Sequence, residues 1–462
     1  MSCRVCHMGP DVVLGGGGAG LVARTFGDFA GRSPLPERTD SQRFTFRNSP
    51  SLVDALAGGQ GNPLHFDGEF ATVELLIEET FTGRNFGWLP DERLAARRHF
   101  ARTIREDNGK APLARRYEGF SYATLLAGSD TAIPANLKLP ESRRLDAATA
   151  SDDAIISSCA RLVTAYLNSL RFSRDRDGVH DGSPYDAFLF ANRLPLAPTA
   201  GQTPHEYSRR LSEAVAALRA PRFIDDPARR LRLHDQPFHF GERELNGMKI
   251  FFRSAIGDTQ KSGAGNCAEC HVPPHFTDFA FHNTGVAQED YDSAHGAGAF
   301  VALELPGLAA RNADFEKWLP PTPLHPNAKG LAFAAAAPTK PTSTDLGLWN
   351  VYGNPDLRAP QAALARRLNP DGRLSPDQVL SKTIGRFKTS TVRDLGQSGP
   401  YFHTGHGRTI EETILFYQRV SEQSREGTLK NPPPEFFGMR LSNADIEPLA
   451  AFLRSLNEDF AP

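Results

Sequence analysis

The pattern Cys-x-x-Cys-His occurs twice in this chain, and it limits the possible folds more than any other feature. The first copy consists of Cys3, Cys6 and His7, and the second consists of Cys267, Cys270 and His271. With five cysteines and 14 histidines in 462 residues, one such pattern arises by chance in roughly two chains per thousand. In c-type haem the two thiols add to the porphyrin vinyl groups and the adjacent imidazole ligates the iron. The sequence therefore predicts two covalently bound c-type haems.

The cysteine pairs have two alternative interpretations. Structural zinc sites use pairs about 15 to 20 residues apart, whereas these two pairs are separated by about 260 residues. A disulfide or a redox-active Cys-x-x-Cys is the second alternative. The fifth cysteine, Cys159, lies in a predicted apolar helix, where a buried inert thiol is the usual outcome. We adopt haem attachment as the interpretation.

The charge balance and hydropathy exclude other classes of partner. The chain has 52 Lys and Arg against 54 Asp and Glu, a formal charge of -2, so no basic surface for nucleic acid is expected. No uncharged run approaches the roughly 18 residues of a membrane span, and residues 1–10 lack the apolar core of a signal sequence. Because bacterial haem c is attached outside the cytoplasm, we expect a periplasmic protein whose signal sequence and first helix are absent from this chain.

A weak internal duplication predicts one haem per domain. Residues 162–170 resemble residues 448–456, and both segments have apolar residues at helical spacing. Ser151 and Ser442 are the predicted N-caps of these helices, and Asp445 completes a capping box at the second. We expect each helix to close a cytochrome c-like domain by packing across its first helix.

The predicted fold is therefore mainly α, with two cytochrome c-like haem domains, long loops and a connector. The domains cover residues 1–175 and 241–462. The connector, residues 176–240, contains one helical stretch at 207–218. Residues 286–345 are rich in Ala, Gly and Pro and are expected to form a long surface excursion from the second domain.

Several further blocks of sequence resemble the bacterial di-haem cytochrome c peroxidase and MauG superfamily, and in particular its MauG-like branch. The resemblance covers both haem domains but neither the connector nor the excursion. The blocks are residues 47–52, 66–68, 72–74, 276–278, 281–283, 387–393, 400–403 and 409–411. It implies one haem that reacts with peroxide and a second haem that transfers electrons.

The resemblance implies an open iron at the first haem. Peroxidases of the family that need reductive activation carry a distal histidine just before the Asn-Ser-Pro block, and Asp40 stands at that place here. His7 is the expected proximal ligand, and an open distal face lets peroxide bind directly. His65 is the nearby alternative ligand.

For the second haem, held by His271, the family's peroxidases place a methionine eight residues after a threonine that corresponds to Thr409. That position is Tyr417, and the MauG branch has tyrosine there. A phenol oxygen stabilises ferric and higher iron states and lowers the potential. Two alternatives stay open: Tyr417 is a core aromatic, or Met439 is the ligand.

Peroxide cleavage also needs a group that moves a proton. The family supplies Gln and Glu ten residues apart, but the matching positions here are Leu76 and Phe86. The nearby carboxylates are Glu78 and Glu79. Glu79 shares a helix face with Leu76, so we expect it to face a pocket, where burial raises the pKa of a carboxyl. A solvated helix carboxylate is the alternative.

The resemblance also implies a calcium ion between the haems, held by the Asn48 side chain and by carbonyls near Ser398 and Pro400, since hard oxygen donors suit Ca²⁺. Phe66 replaces the family's interhaem tryptophan. Arg47 and Arg393 are expected to pair with haem propionates. These assignments all come from the resemblance.

The leading hypothesis is a periplasmic di-haem peroxidase of the MauG-like kind. Hydrogen peroxide would react at the first haem, oxidising equivalents would be shared with the second, and an external donor or partner protein would be oxidised at long range. One alternative is a conventional peroxidase supplied with electrons by a small cytochrome. Another is an electron carrier that performs no catalysis.

Overall fold

The computed structural model describes residues 47–459, apart from positions 49, 60, 87, 117, 258–261 and 331–343. The first haem motif, with Cys3, Cys6 and His7, lies outside the described residues, as does Asp40. The described chain is mainly helical, which confirms the predicted fold class.

The α-helices in chain order are α1 (Val73–Thr82), α2 (Arg93–Glu106), α3 (Pro112–Arg115), α4 (Tyr122–Ala127), α5 (Asp152–Ser169), α6 (Pro184–Ala191), α7 (Pro204–Ala217), α8 (Glu242–Phe252), α9 (Val286–His295), α10 (Leu308–Ala313), α11 (Phe315–Trp318), α12 (Leu348–Val351), α13 (Gln361–Leu368), α14 (Pro376–Lys382), α15 (Ile410–Glu426) and α16 (Asn443–Arg454).

Two small antiparallel sheets accompany the helices in this part of the chain. Strand β1 (Ile224–Leu231) pairs with β2 (Gln236–Phe240), and β3 (Phe281–His282) pairs with β4 (Phe387–Lys388). The register of the first pair is interrupted between Asp226 and Arg230. The interruption contains Pro227, which has no N–H to donate to a ladder. None of the described helices has the length and apolar character that crossing a bilayer requires.

The two predicted closing helices are present with their predicted caps. Helix α5 follows Ser151, whose side chain accepts from the Ala154 N–H, and α16 follows Ser442 with a capping box to Asp445. Helix α5 packs against α1 and α2, and α16 packs against α8. The approach of α8 to α16 needs glycine at position 247, because a Cβ there would lie 1.9 Å from the Pro448 carbonyl oxygen.

The connector is packed into the core of the second domain. Tyr185 on α6 and Tyr207 on α7 belong to the same buried apolar cluster as Met248 on α8 and Phe452 on α16. The predicted helical stretch at 207–218 is observed as α7, which begins at the capping box formed by Thr203 and Glu206. Residues 176–240 therefore help to form the second core, although the division into domains remains a prediction.

The expectation that residues 286–345 form only a surface excursion is wrong for the described part of that segment. Phe300 and Leu319 are fully buried there, and Phe300 packs with Trp349 and Phe387 in one apolar cluster. The low complexity of the segment concealed these anchoring side chains. Asp345, at its end, is also buried and binds Arg47.

Candidate di-haem site

The second haem motif lies on a short 3-10 turn, Cys267–Glu269, shortly after α8. The Nδ1 atom of His271 lies 3.2 Å from the Phe276 carbonyl oxygen. An N–H on Nδ1 donates to this carbonyl, which leaves Nε2 as the atom that can ligate a metal. Burial lowers the pKa of His271 and so favours the neutral imidazole, which is the ligating form.

Both cysteines of this motif are free thiols that contact the same cavity as His271. Burial raises the pKa of Cys267 to about 12 and raises the pKa of Cys270 well above its usual range. The separation of the two cysteine pairs by about 260 residues remains the argument against a shared zinc site. Two free thiols beside an oriented imidazole fit the attachment of a c-type haem.

The cavity has a volume of about 1200 Å³ and continues from the second motif into the first domain. Typical ligand pockets measure roughly 300–1,000 Å³. Around the second motif most of its wall is apolar and comes from α8, α15, α16 and the 3-10 turn Pro434–Gly438. The side chains there are Phe251, Ile410, Ile414, Phe436, Leu441, Leu449 and Leu453. This shape and chemistry fit a porphyrin.

Tyr417 and Met439 both line this part of the cavity. The Tyr417 ring lies between Phe402 and Phe436, with centroids 5.9 and 6.0 Å away. Burial raises the pKa of the Tyr417 hydroxyl. Within the described chain no hydrogen bond involves this hydroxyl. The Met439 backbone carbonyl accepts from Arg425, which leaves the Met439 sulfur unaffected. Both side chains that the sequence offers as the second ligand are thus placed at the haem cavity.

The first-domain wall of the cavity comes from α1, α2, α4 and α5. Leu76 and Phe86, the positions where the family supplies Gln and Glu, are both part of this wall. The polar side chains among the described residues of this wall include Ser51, Asp54, Thr80, Asn85, His99, Thr103, Tyr122 and Cys159. Trp88 also lines the cavity and lies 5.5 Å from the His99 ring, whereas Trp318 and Trp349 do not contribute to it.

Neither predicted acid–base carboxylate is part of the cavity wall. Glu79 forms a two-contact ion pair with Arg93, of which the Arg93 Nη1 to Glu79 Oε2 distance is 2.7 Å. Glu78 accepts from the Ser157 hydroxyl at 2.6 Å. We expected Glu79 to face a pocket. Its carboxylate instead pairs with Arg93, the first residue of α2. A catalytic role for Glu78 or Glu79 stays a prediction from the sequence.

The middle of the cavity lies where the two domains meet, and Phe66 is located there. Its backbone carbonyl accepts from the Lys388 N–H at 2.7 Å, and its side chain packs in one cluster with Phe387. Phe387 stacks on His403 with centroids 3.4 Å apart. His65 also lines the cavity; burial alone would lower the pKa of His65, but Asp67 and Glu69 raise it.

The two arginines expected at haem propionates are buried against carboxylates of the chain itself. Arg47 donates to Asp67 at 2.6 Å and to Asp345 at 2.6 Å. Arg393 donates from both Nη atoms to Asp186, at 3.0 and 2.9 Å. Both arginines line the cavity, and their pairing with propionates stays a prediction.

The residues expected to hold calcium converge at the same junction. Asn48, Ser398 and Pro400 all line the cavity, and the Asn48 side-chain amide donates to the Pro400 carbonyl. To bind calcium, the Asn48 amide would have to flip so that its oxygen lies on the side of the Pro400 carbonyl. The orientation of such an amide is assigned from the hydrogen bonds around it. These oxygen donors fit Ca²⁺ in kind.

Several titratable side chains of the cavity, among them Lys388 and His99, carry no prediction from the sequence. Lys388 lines it, donates to the Pro63 carbonyl at 3.0 Å, and has its pKa lowered to about 8 by burial and by Arg367. His99 lines it as well. Lys388 belongs to one of the recognised blocks, whereas His99 has no motif around it that would single it out.

Substitution of cysteines tests haem attachment directly. We expect intact-protein mass spectrometry of the exported chain to show two covalent haems, and the double variant Cys267→Ala, Cys270→Ala to retain one. Cys159→Ala is the matched control and should retain two. Two haems in the double variant, or none in the parent chain, would contradict the assignment of the second motif.

No protein-family model matches the chain. Two curated relatives do: cytochrome-c peroxidase IdrP2 of Pseudomonas sp. (strain SCT), 35% identical over 78 residues, and cytochrome-c peroxidase IdrP1 of Denitromonas iodatirespirans, 29% identical over 76 residues. These matches span 17% and 16% of this chain, and 19% of each relative.

Solved structures with a similar chain path include a MauG-like protein associated with microbial copper homeostasis, with 16% identity, 92% of this chain and 79% of that chain covered, and a TM-score of 0.40. Another is the diheme peroxidase BthA from Burkholderia thailandensis E264, with 16% identity, 99% and 81% covered, and a TM-score of 0.43. The resemblance stated from the sequence is thus confirmed to this extent: over 78 and 76 residues the chain is similar to proteins named as cytochrome-c peroxidases.

Proposed function

We propose that this chain is a di-haem peroxidase of the MauG-like kind, with hydrogen peroxide as its oxidising substrate. Haem c at the two motifs would supply a peroxide-reactive iron and a second redox centre. The chain would hold these groups through Cys3, Cys6 and His7 and through Cys267, Cys270 and His271. We include Ca²⁺ at Asn48, Ser398 and Pro400, and a periplasmic location.

The observation that carries the proposal is the continuity of the cavity. One continuous space extends from the helices of the first domain to His271 and Tyr417 in the second. Where its two parts meet, the wall includes the rings of Phe66, Phe387 and His403. Two redox groups in one such space would lie close together, with these rings beside them. Such an arrangement supports the sharing of oxidising equivalents and suits long-range oxidation of an external donor.

The proposed ligand of the second iron is the Tyr417 oxygen. Tyr417 lines the cavity, and its ring lies between those of Phe402 and Phe436. Burial opposes ionisation of this phenol, so only a strong positive centre next to the oxygen would stabilise the phenolate. Met439 lines the same space and is the alternative ligand that a conventional peroxidase would use.

The proposed proton-transfer group is His99, because it lines the first-domain part of the cavity whereas Glu78 and Glu79 do not. Partial burial and the neighbouring Arg102 lower the pKa of His99, which keeps the imidazole neutral and able to accept a proton near neutral pH. The Arg102 Nη2 atom lies 3.2 Å from His99 Nδ1. The opposite nitrogen, Nε2, is then the atom available for proton transfer.

The reaction with peroxide tests the function. We expect one equivalent of hydrogen peroxide, added to the ferric protein, to change the Mössbauer isomer shift of both irons. A change confined to one iron, together with a radical signal, would favour the conventional peroxidase supplied by a small cytochrome. No change would leave an electron carrier and contradict the proposal.

The ligand assignment is tested by Tyr417→Phe, with Met439→Leu as the control of similar size. We expect the first substitution to change the ferric spectrum of the second haem to that of an iron with a weaker sixth ligand or with none, because the phenyl ring cannot ligate iron. The control should leave that spectrum unchanged. The reverse pattern would assign the second iron to Met439.

The proton-transfer assignment is tested by the rate of the peroxide reaction in stopped-flow experiments. We expect His99→Gln to slow this step by about 10²-fold or more, which is the usual contribution of a positioned acid–base group. Glu79→Gln and Glu78→Gln should leave it nearly unchanged. If Glu78→Gln or Glu79→Gln greatly slows the peroxide reaction and His99→Gln does not, the assignment made from the sequence is restored.

A further inference from the structure

A cluster of metal-ligating side chains lies at the edge of the cavity, apart from the haem ligands. Asp54, His180 and His275 each offer one ligand atom, and these atoms all lie within 4.8 Å of one another. Asp54 belongs to the first domain, His180 to the connector and His275 to the loop that follows the second haem motif. Three distant segments thus bring two imidazoles and a carboxylate together.

His180 is the observation that points to a ligand. Its side chain is buried, with 7% of the residue exposed, and neither ring nitrogen has a hydrogen-bond partner among the described residues. A neutral imidazole has one donor and one acceptor nitrogen, and buried polar groups of this kind are nearly always satisfied. The His180 ring is almost perpendicular to that of His275, at 87° with centroids 5.7 Å apart. This arrangement directs two imidazoles toward a common space.

The other histidine clusters of the described chain differ in this respect. His282 pairs with Asp278 at 2.7 Å. His65 lies 3.4 Å from Asp67 and 3.5 Å from Glu69. In both, a carboxylate lies beside one ring nitrogen, whereas neither ring nitrogen of His180 has such a partner among the described residues.

Two arginines lie near the cluster, and each is paired with a carboxylate. Arg174 donates to Asp54 Oδ2 at 2.6 Å, and the second carboxylate oxygen, Oδ1, is the one that can face the imidazoles. The other nearby cation, Arg393, is paired with Asp186. Burial and these two arginines hold the pKa of His180 near 2, so the ring is neutral and has a lone pair to offer a metal.

We propose that Asp54, His180 and His275 bind one divalent transition-metal ion. Two imidazoles and one carboxylate suit Zn²⁺, Cu²⁺, Ni²⁺ or Fe²⁺, whereas Ca²⁺ and Mg²⁺ prefer oxygen donors throughout. Three protein ligands leave a further coordination position open. Asp54 and His275 line the cavity, so the bound ion would lie at its edge and join the two domains through the connector.

Zinc binding to the haem-loaded protein tests the site. The protein, free of any polyhistidine tag and treated with EDTA, is titrated with zinc sulfate by calorimetry, and its zinc content is then measured by mass spectrometry. We expect one zinc per chain. His180→Phe keeps a ring of similar size but removes both nitrogens, and it should weaken binding at least tenfold. Asp54→Asn should weaken it in the same direction.

His239→Phe is the matched control, because His239 is a partly exposed histidine beside Asp225 and Glu244. The zinc affinity of this variant should equal that of the parent chain.

Covalent haem content and circular dichroism establish whether each variant is folded. If His180→Phe is not folded, His275→Asn replaces it. The proposal is overturned if the parent binds no zinc, or if binding survives in both His180→Phe and Asp54→Asn. If the parent protein binds no zinc and His180→Phe shifts the haem absorption, the two imidazoles instead contact a haem carboxylate.

Discussion

The large apolar cavity is the constraint on which the rest of the structure depends. The cavity measures about 1200 Å³, and most of its lining is apolar. Apolar surface contributes to stability only where it is removed from water, at roughly 25 cal/mol per Å². A porphyrin would cover such a lining, and covalent attachment at Cys-x-x-Cys-His motifs would keep it in place. On this account the haems are structural components as well as redox centres.

The wall of the cavity is held together by buried ion pairs that connect distant segments. Arg47 joins Asp67 of the first domain to Asp345 at the end of the 286–345 segment. Arg393 joins the second domain to Asp186 of the connector. Buried pairs of this kind contribute little net stability, but the loss of one partner is costly because it leaves an unpaired buried charge. Their effect here is to fix the relative positions of the segments around the two haem sites.

The sequence predicts the parts of this molecule that are set by local patterns. The caps at Ser151 and Ser442 and the helices behind them follow from residues three or four positions apart, and the structure confirms them. The pairing of Glu79 with Arg93 depends on the turn between α1 and α2, and that of Arg47 with Asp345 spans 298 positions. Neither leaves a periodic trace in the sequence. The convergence of Asp54, His180 and His275 is hidden for the same reason, because each residue belongs to a different segment.

The most direct test of the central claim is a crystal structure of the haem-loaded protein with anomalous data collected at the iron edge. We expect two irons in the single cavity, one held by His271 Nε2 with the Tyr417 oxygen on the opposite face, and the other held by His7 with no protein ligand on its distal side. A sulfur ligand from Met439 on the former iron, or an imidazole such as His65 on the latter, would contradict this expectation.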